Sequence, residues 1–149
     1  MEKLLIVLVA VIGFSFSANA QNVLTFYAWN SGTNACLKSD FGHTYVCVEY
    51  NCYGYRTSGM DYETYEGCAK MMVSFNISDA ALSRVNQKIR EWQNNPVQYS
   101  LGRRDCTSFA MDVADAAGIS YGSRSSIQWP IGFLERLRDY NSNATYRRF

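Results

Sequence analysis

Residues 99–118, YSLGRRDCTSFAMDVADAAG, place a cysteine between a charged segment and a run with helical periodicity. From Cys106 onward, apolar residues recur at steps of three and four, which is the pattern of one buried helix face. Asp105 occupies the position of a helix N-cap, and Gly118 is typical of a helix end. The stretch therefore predicts a helix over residues 106–117 with Cys106 in its first turn.

This position gives Cys106 the properties of a nucleophile. Unpaired N–H groups and the positive end of the helix dipole favour a thiolate over a thiol, and the same N–H groups can stabilise an oxyanion. The carboxylate of Asp105 acts in the opposite direction, because a neighbouring negative charge raises the pKa of a thiol, and Arg103 and Arg104 can offset it. Cys106 is the candidate catalytic nucleophile. The alternatives are a buried structural thiol and a disulfide to a second chain.

The chain has five cysteines, an odd number, so they cannot all pair with one another in disulfides. The four besides Cys106 lie earlier in the chain: Cys36, Cys47, Cys52 and Cys68. Cysteines of exported proteins normally pair, so two disulfides among these four would leave Cys106 as the free thiol. The sequence does not choose among the possible pairings.

The N-terminal residues predict export. Residues 1–20, MEKLLIVLVAVIGFSFSANA, combine an early lysine, a short apolar run and small residues at the end, as in a signal peptide. The apolar run is shorter than the about 20 residues that a membrane anchor needs. We expect residues 21–149 to form a single domain without a membrane anchor, in a secreted or periplasmic location.

Charge and composition restrict the partners. The net charge is +1 and does not change when Glu2 and Lys3 are removed, so no strong field attracts nucleic acid or a membrane surface. The expected partner is a peptide or acyl substrate. One histidine and four cysteines expected in disulfides cannot supply the usual ligands of a metal, so no metal or cofactor is predicted. The oligomeric state is left open.

His43 is the only histidine, and therefore the only imidazole that can act as a base for Cys106. It lies in FGHTYVCVEYN, residues 41–51, whose aromatic and β-branched residues predict a strand over 43–50. A lone histidine at a strand start is typically a solvated or hydrogen-bonded residue. Together, Cys106 and His43 supply the nucleophile and the base that a thiol hydrolase requires.

A third polar group normally orients a catalytic histidine. Glu49 lies on the same face of the predicted strand, but about 20 Å from His43 at about 3.3 Å per residue, and is excluded. A turn at residues 51–54 followed by a return strand over 53–60 would place Asp61 near His43. Asp61 is therefore the candidate, with an ordinary surface aspartate as the alternative.

Two further helices complete the predicted fold. Residues 78–92, SDAALSRVNQKIREW, begin with a serine cap and carry one apolar stripe. Trp129-Pro130 begins a terminal helix, and the tail NSNATYRRF, residues 141–149, is expected to be solvated. With a first strand over 23–29, the predicted fold class is α+β, a small antiparallel sheet packed with about three helices.

The motifs, in this order, resemble the permuted branch of the NlpC-type papain-like cysteine hydrolases, to which lecithin retinol acyltransferase is related. They read Gly42-His43-Thr44, Tyr99-Ser100-Leu101, Asp105-Cys106-Thr107, Ala117-Gly118-Ile119 and Trp129-Pro130. Asp105 stands where the family often has asparagine, and the four other cysteines lie outside the family pattern. The resemblance implies a permuted papain-like fold and a catalytic dyad of Cys106 and His43.

An exported cysteine hydrolase that cleaves an acyl or amide bond is the function that the resemblance implies. It also suggests the amide bonds of peptidoglycan peptides as the substrate. The same dyad could instead serve a lipid acyl hydrolase or transferase. The non-enzymatic alternative is a disulfide-stabilised secreted binding or inhibitor module, in which Cys106 is buried and His43 is incidental.

Overall fold

The computed structural model describes residues 22–30, 42–63, 69–95, 98–124 and 129–149. The elements, in chain order, are β1 (Asn22–Trp29), β2 (His43–Val48), β3 (Asn51–Arg56), β4 (Gly59–Glu63), β5 (Met71–Ile77), α1 (Asp79–Asn94), α2 (Cys106–Ala117), α3 (Pro130–Tyr140) and β6 (Thr145–Arg148). The predicted signal peptide lies outside the described residues, as do Cys36 and Cys68. No helix of the described ranges is both long and apolar enough to cross a membrane.

The described strands form one antiparallel sheet in the order β4-β3-β2-β1-β5-β6. The three described helices pack against it, so the predicted α+β class is confirmed. β1 pairs with β2 on one side and β5 on the other, which places β1 and β2 inside the sheet. All six residues of β2 are buried, because Val46 and Val48 lie in the main core whereas Tyr45 and Cys47 pack with Trp29 in a second cluster.

The main core lies between the sheet and the helices. Phe26 of β1 meets Phe133 of α3 with ring centroids 6.0 Å apart, and Trp92 of α1 meets Phe109 of α2 at 5.4 Å. Phe109 is completely buried, one turn after the start of α2. Because the side chain that anchors α2 lies so near its first residue, core packing fixes the N-terminus of this helix against the sheet.

The helix boundaries follow the predicted signals. The side chain of Ser78 caps α1 by accepting a hydrogen bond from the backbone N–H of Ala81, at 3.2 Å. Asp105 caps α2, and Gly118 ends it with a φ of +77°. Pro130 begins α3 at the position where its missing N–H costs no helical hydrogen bond.

The turns differ from the prediction. The β2–β3 turn consists of Glu49 and Tyr50, because Val48 already pairs with Asn51, so residues 51–54 are strand rather than turn. The predicted return strand over 53–60 is two strands, β3 and β4, which pair across a turn at Thr57 and Ser58.

The C-terminal tail also differs from the prediction. Residues Thr145–Arg148 form the edge strand β6 and pair with β5, with Met71 opposite Arg148. All four side chains are exposed to solvent, as expected for a solvated tail. The backbone of these residues nevertheless forms the edge of the sheet.

The cysteines agree with the predicted division into paired and free thiols, as far as they are described. Cys47 and Cys52 face each other across β2 and β3 and form a disulfide. Cys106 is free and buried. The disulfide ties β2, the strand that begins with His43, to β3.

Candidate active site

The first turn of α2 is held by the side chain of Asp105. Its carboxylate accepts hydrogen bonds from the backbone N–H of Ser108 at 2.7 Å, from the hydroxyl of Ser108 at 2.8 Å and from the backbone N–H of Gly102 at 2.6 Å. Asp105 is 4% exposed. These bonds fix the position of Cys106, the first residue of α2.

His43 is the first residue of β2 and is fixed by its neighbours in the sheet. It pairs with Trp29, and the two ring centroids lie 5.0 Å apart. The preceding residue, Gly42, has a φ of +77°, and a Cβ there would lie 2.4 Å from the carbonyl oxygen of Trp29. Only glycine allows the chain to enter β2 at this point, so the Gly-His motif has a local steric cause.

The fold brings the side chains of Cys106 and His43 together, and each shifts the pKa of the other through a hydrogen bond and through its charge. Burial raises the pKa of the Cys106 thiol, and the nearby Asp105 carboxylate does the same. The hydrogen bond and charge of His43, with a hydrogen bond from the backbone of Thr44, outweigh both and lower that pKa below its ordinary value.

The pKa of His43 changes in the complementary direction. Burial lowers it, but hydrogen bonds to Cys106 and Glu63 outweigh burial and raise the pKa above its ordinary value. A lowered thiol pKa beside a raised imidazole pKa favours a thiolate and an imidazolium. Both pKa shifts therefore favour the charge state of an activated cysteine nucleophile.

Glu63 is the third residue of the site. Its Oε1 lies 2.9 Å from Nε2 of His43, which leaves Nδ1 of the ring for the sulfur of Cys106. Arg56 donates to the same carboxylate twice, from Nε to Oε1 at 2.8 Å and from Nη2 to Oε2 at 2.9 Å. Burial raises the pKa of Glu63, but the hydrogen bonds from His43 and Arg56 lower it to about 2.

The structure thus corrects the prediction of Asp61 as the orienting carboxylate. Asp61 pairs with Gly54, and its Oδ2 accepts a hydrogen bond from the hydroxyl of Ser58 at 2.9 Å. Glu63 lies two residues further along β4, on the same face, and its longer side chain reaches His43. The prediction assumed one return strand, whereas the turn at Thr57 and Ser58 adds a second.

Gly54 provides the space through which Glu63 reaches His43. It lies in β3, opposite Tyr45 on one side and Asp61 on the other. A Cβ at this position would lie 2.3 Å from Oε1 of Glu63 and 2.7 Å from Nε2 of His43. The hydrogen bond between Glu63 and His43 therefore passes directly over Gly54, where a side chain would collide with both residues.

Tyr99, which the sequence singles out only as part of a motif, is a further residue of the candidate site. Its hydroxyl group hydrogen-bonds to both the side chain and the backbone of Cys106. Burial raises the pKa of this phenol well above its ordinary value, and the negative charges of Cys106 and Asp105 add to the effect. Tyr99 therefore keeps its proton and presents an O–H donor beside the sulfur.

Comparisons with known proteins support the fold. No family model matches the chain, and no curated protein matches it in sequence. Among solved structures, the chain is similar to the crystal structure of the type VI secretion system effector TseH, with a TM-score of 0.61 and 14% sequence identity. The match covers 88% of this chain and 100% of that chain. At this identity the likeness shows a shared fold.

The first prediction concerns the carboxylate that orients His43. Glu63→Gln should lower the pKa of His43, because the amide does not stabilise the imidazolium and the charge of Arg56 is left uncompensated. Asp61→Asn is the matched control and should leave that pKa unchanged. NMR titration of the untagged protein measures it directly, since His43 is the only histidine. An unchanged pKa in the Glu63 variant would contradict the assignment.

The second prediction concerns the space above β3. Gly54→Ala should separate Glu63 from His43 and reduce any activity of the site by about tenfold or more, because an orienting carboxylate contributes at least that much in comparable sites. Gly132→Ala is the control: its Cβ would meet nothing within 4 Å, and helical alanine should stabilise the protein slightly. Equal activities of the two variants, with both folded by circular dichroism, would contradict this prediction.

Proposed function

We propose that the protein is a cysteine hydrolase in which Cys106 is the nucleophile, His43 the general base and acid, and Glu63 the residue that orients the imidazole. One observation carries the proposal: a thiol at a helix N-terminus is hydrogen-bonded to an imidazole, which is hydrogen-bonded to a partly buried carboxylate. This arrangement has every part that an activated cysteine requires.

In the first half of the reaction, the Cys106 thiolate attacks an acyl carbonyl carbon and forms a C–S bond. The carbonyl oxygen becomes an oxyanion, to which the backbone N–H of Cys106 and the hydroxyl of Tyr99 can donate. The imidazolium of His43 gives its proton to the leaving amine as the C–N bond breaks. A thioester of Cys106 and a neutral imidazole remain.

In the second half, water attacks the thioester. Neutral His43 accepts a proton from that water, a new C–O bond forms, and the C–S bond breaks to release the acid and the Cys106 thiolate. The imidazolium is regenerated at the same time, so the enzyme returns to its ion pair. Glu63 keeps its hydrogen bond to Nε2 throughout and holds Nδ1 toward the reacting atoms.

We further propose that residues 1–20 are removed on export and that residues 21–149 act in a secreted or periplasmic location. The disulfide between Cys47 and Cys52 supports an oxidising compartment. The amide bonds of peptidoglycan peptides are the substrate that an exported bacterial enzyme of this kind would meet. The similar fold of a type VI secretion system effector supports an exported role.

A polar substrate agrees better with the surroundings of Tyr99 than a lipid does. The cavity that this residue lines also has side-chain amides in its wall, from Gln93, Asn95 and Gln98. A binding site for an acyl chain needs a predominantly apolar lining. The same dyad acting on lipid acyl groups is therefore the weaker candidate.

The third prediction tests the catalytic unit. Cys106→Ala, His43→Ala and the double variant should each reduce hydrolysis of peptidoglycan peptides to a similar residual rate, at least about a thousandfold lower, because losses within one catalytic unit are not additive. Asp61→Asn is the control and should retain full activity. The substrate panel should also contain ester and thioester bonds.

Two results would refute the hydrolase proposal. One is the absence of turnover on every acyl class by the unsubstituted protein. The other is retention of activity by Cys106→Ala. Thermal unfolding of each variant shows whether a loss of activity reflects chemistry or folding.

A further inference from the structure

The disulfide between Cys47 and Cys52 lies on the same face of the sheet as the side chains of His43 and Glu63. Side chains alternate between the two faces of a strand, so His43 and Cys47, four residues apart on β2, point to one face. Cys52 pairs with Cys47 on one side and with Glu63 of β4 on the other. The disulfide therefore forms one row with the residue whose carboxylate orients His43.

β4 itself contributes little to fixing the position of Glu63. It is the edge strand of the described sheet and pairs with β3 alone. None of its five residues is buried, and Glu63 is the last of them. Segments with little buried apolar surface open locally at a low cost in free energy. The position of the Glu63 backbone therefore depends on the residue of β3 with which it pairs, and that residue is Cys52.

Apart from the disulfide, the attachment of β3 to β2 is weak near Cys52. Asn51 is exposed, and Cys52 and Tyr53 are half-buried. Gly54 follows, and a glycine inside a strand has no side chain to pack. The hairpin turn adds little, because Glu49 has a φ of +55°, a left-handed conformation that favours glycine. A covalent link at Cys52 thus holds a part of β3 that few other contacts hold.

The other end of β3 is fixed by different contacts. Tyr55 is buried in the main core, and Arg56 donates two hydrogen bonds to the carboxylate of Glu63. Gly54 separates this end from the disulfide, and the Glu63 side chain passes over it to reach His43. The glycine that leaves room for the carboxylate therefore also weakens the strand, and the disulfide offsets that loss.

We propose that Cys47 and Cys52 are positioning residues of the active site: their disulfide keeps Glu63 within reach of His43, and the site is complete only when this disulfide is formed. A dithiol reduces the bond by giving two electrons and two protons to its sulfurs, which become thiols while the dithiol becomes a disulfide. The site is therefore less active in a reducing compartment than in an oxidising one. For its effect on turnover, the inference rests on the proposed hydrolase function.

The test measures the pKa of His43 by NMR titration of the untagged protein, so it does not depend on turnover. In Cys47→Ala/Cys52→Ala this pKa should fall, as in Glu63→Gln, because the carboxylate no longer stabilises the imidazolium. A dithiol should lower it in the unsubstituted protein and cause no further change in the double variant. Adding Glu49→Gly to the double variant relieves the turn and should raise the pKa again. The rate of hydrolysis should follow the pKa, with a loss of about tenfold in the double variant.

Val85→Ala is the matched control, because it removes methyl groups from a completely buried residue of α1 and lowers stability without a change in the hairpin. It should leave the pKa of His43 unchanged. An unchanged pKa in Cys47→Ala/Cys52→Ala, or an equal fall in Val85→Ala, would overturn the positioning role, as would a fall that Glu49→Gly does not reverse.

The same measurements separate this inference from the hydrolase proposal. If the pKa of His43 follows the prediction while no acyl substrate is hydrolysed, the positioning role stands without the hydrolase. If Cys106→Ala abolishes hydrolysis while the protein without the disulfide keeps both the pKa of His43 and the rate, the hydrolase stands without the positioning role.

Discussion

The hydrogen bond between Cys106 and His43 is the interaction on which the chemistry of this protein depends, and it requires two separate parts of the chain to meet. The sulfur belongs to the first residue of α2, and the imidazole to the first residue of β2. The completely buried Phe109 holds α2 on the sheet, and Asp105 fixes the turn before it. The hydrophobic core therefore holds the first residue of α2 beside the first residue of β2.

The carboxylate of Glu63 contacts two cationic side chains at once, and both contacts affect the pKa of His43. Its carboxylate contacts both His43 and Arg56, and all three side chains are largely shielded from solvent. The hydrogen bond that His43 donates to Glu63 raises the pKa of His43, while the charge of Arg56 lowers it. Arg56 thus limits how strongly the carboxylate stabilises the imidazolium, and its bidentate contact fixes the direction in which the carboxylate points.

The sequence was sufficient for the local features of the site but not for its long-range contacts. The helix start at Cys106 was predictable because its cap and its periodicity lie within a few residues. The contact of Glu63 with His43 depends on the register of three strands and on the missing side chain of Gly54. The signal for the additional strand was present in Thr57-Ser58-Gly59, a turn sequence that splits the expected return strand.

Two other features were hidden for different reasons. β6 was not predicted because its side chains are all exposed, so its sequence carries no alternation of apolar and polar residues. The contact between Tyr99 and Cys106 crosses the loop before α2, whose path is determined by Gly102 and the Asp105 carboxylate. Side-chain contacts made through a loop leave no periodic pattern in the sequence.

The most direct measurement of the central claim is the ultraviolet absorbance of the Cys106 thiolate as a function of pH, with Cys106→Ala as the blank. The account predicts that the thiolate persists well below the pKa of about 8.5 of an ordinary cysteine, and that His43→Ala moves the transition to higher pH because the imidazolium is lost. A transition at the ordinary thiol pKa, unchanged in His43→Ala, would contradict the account.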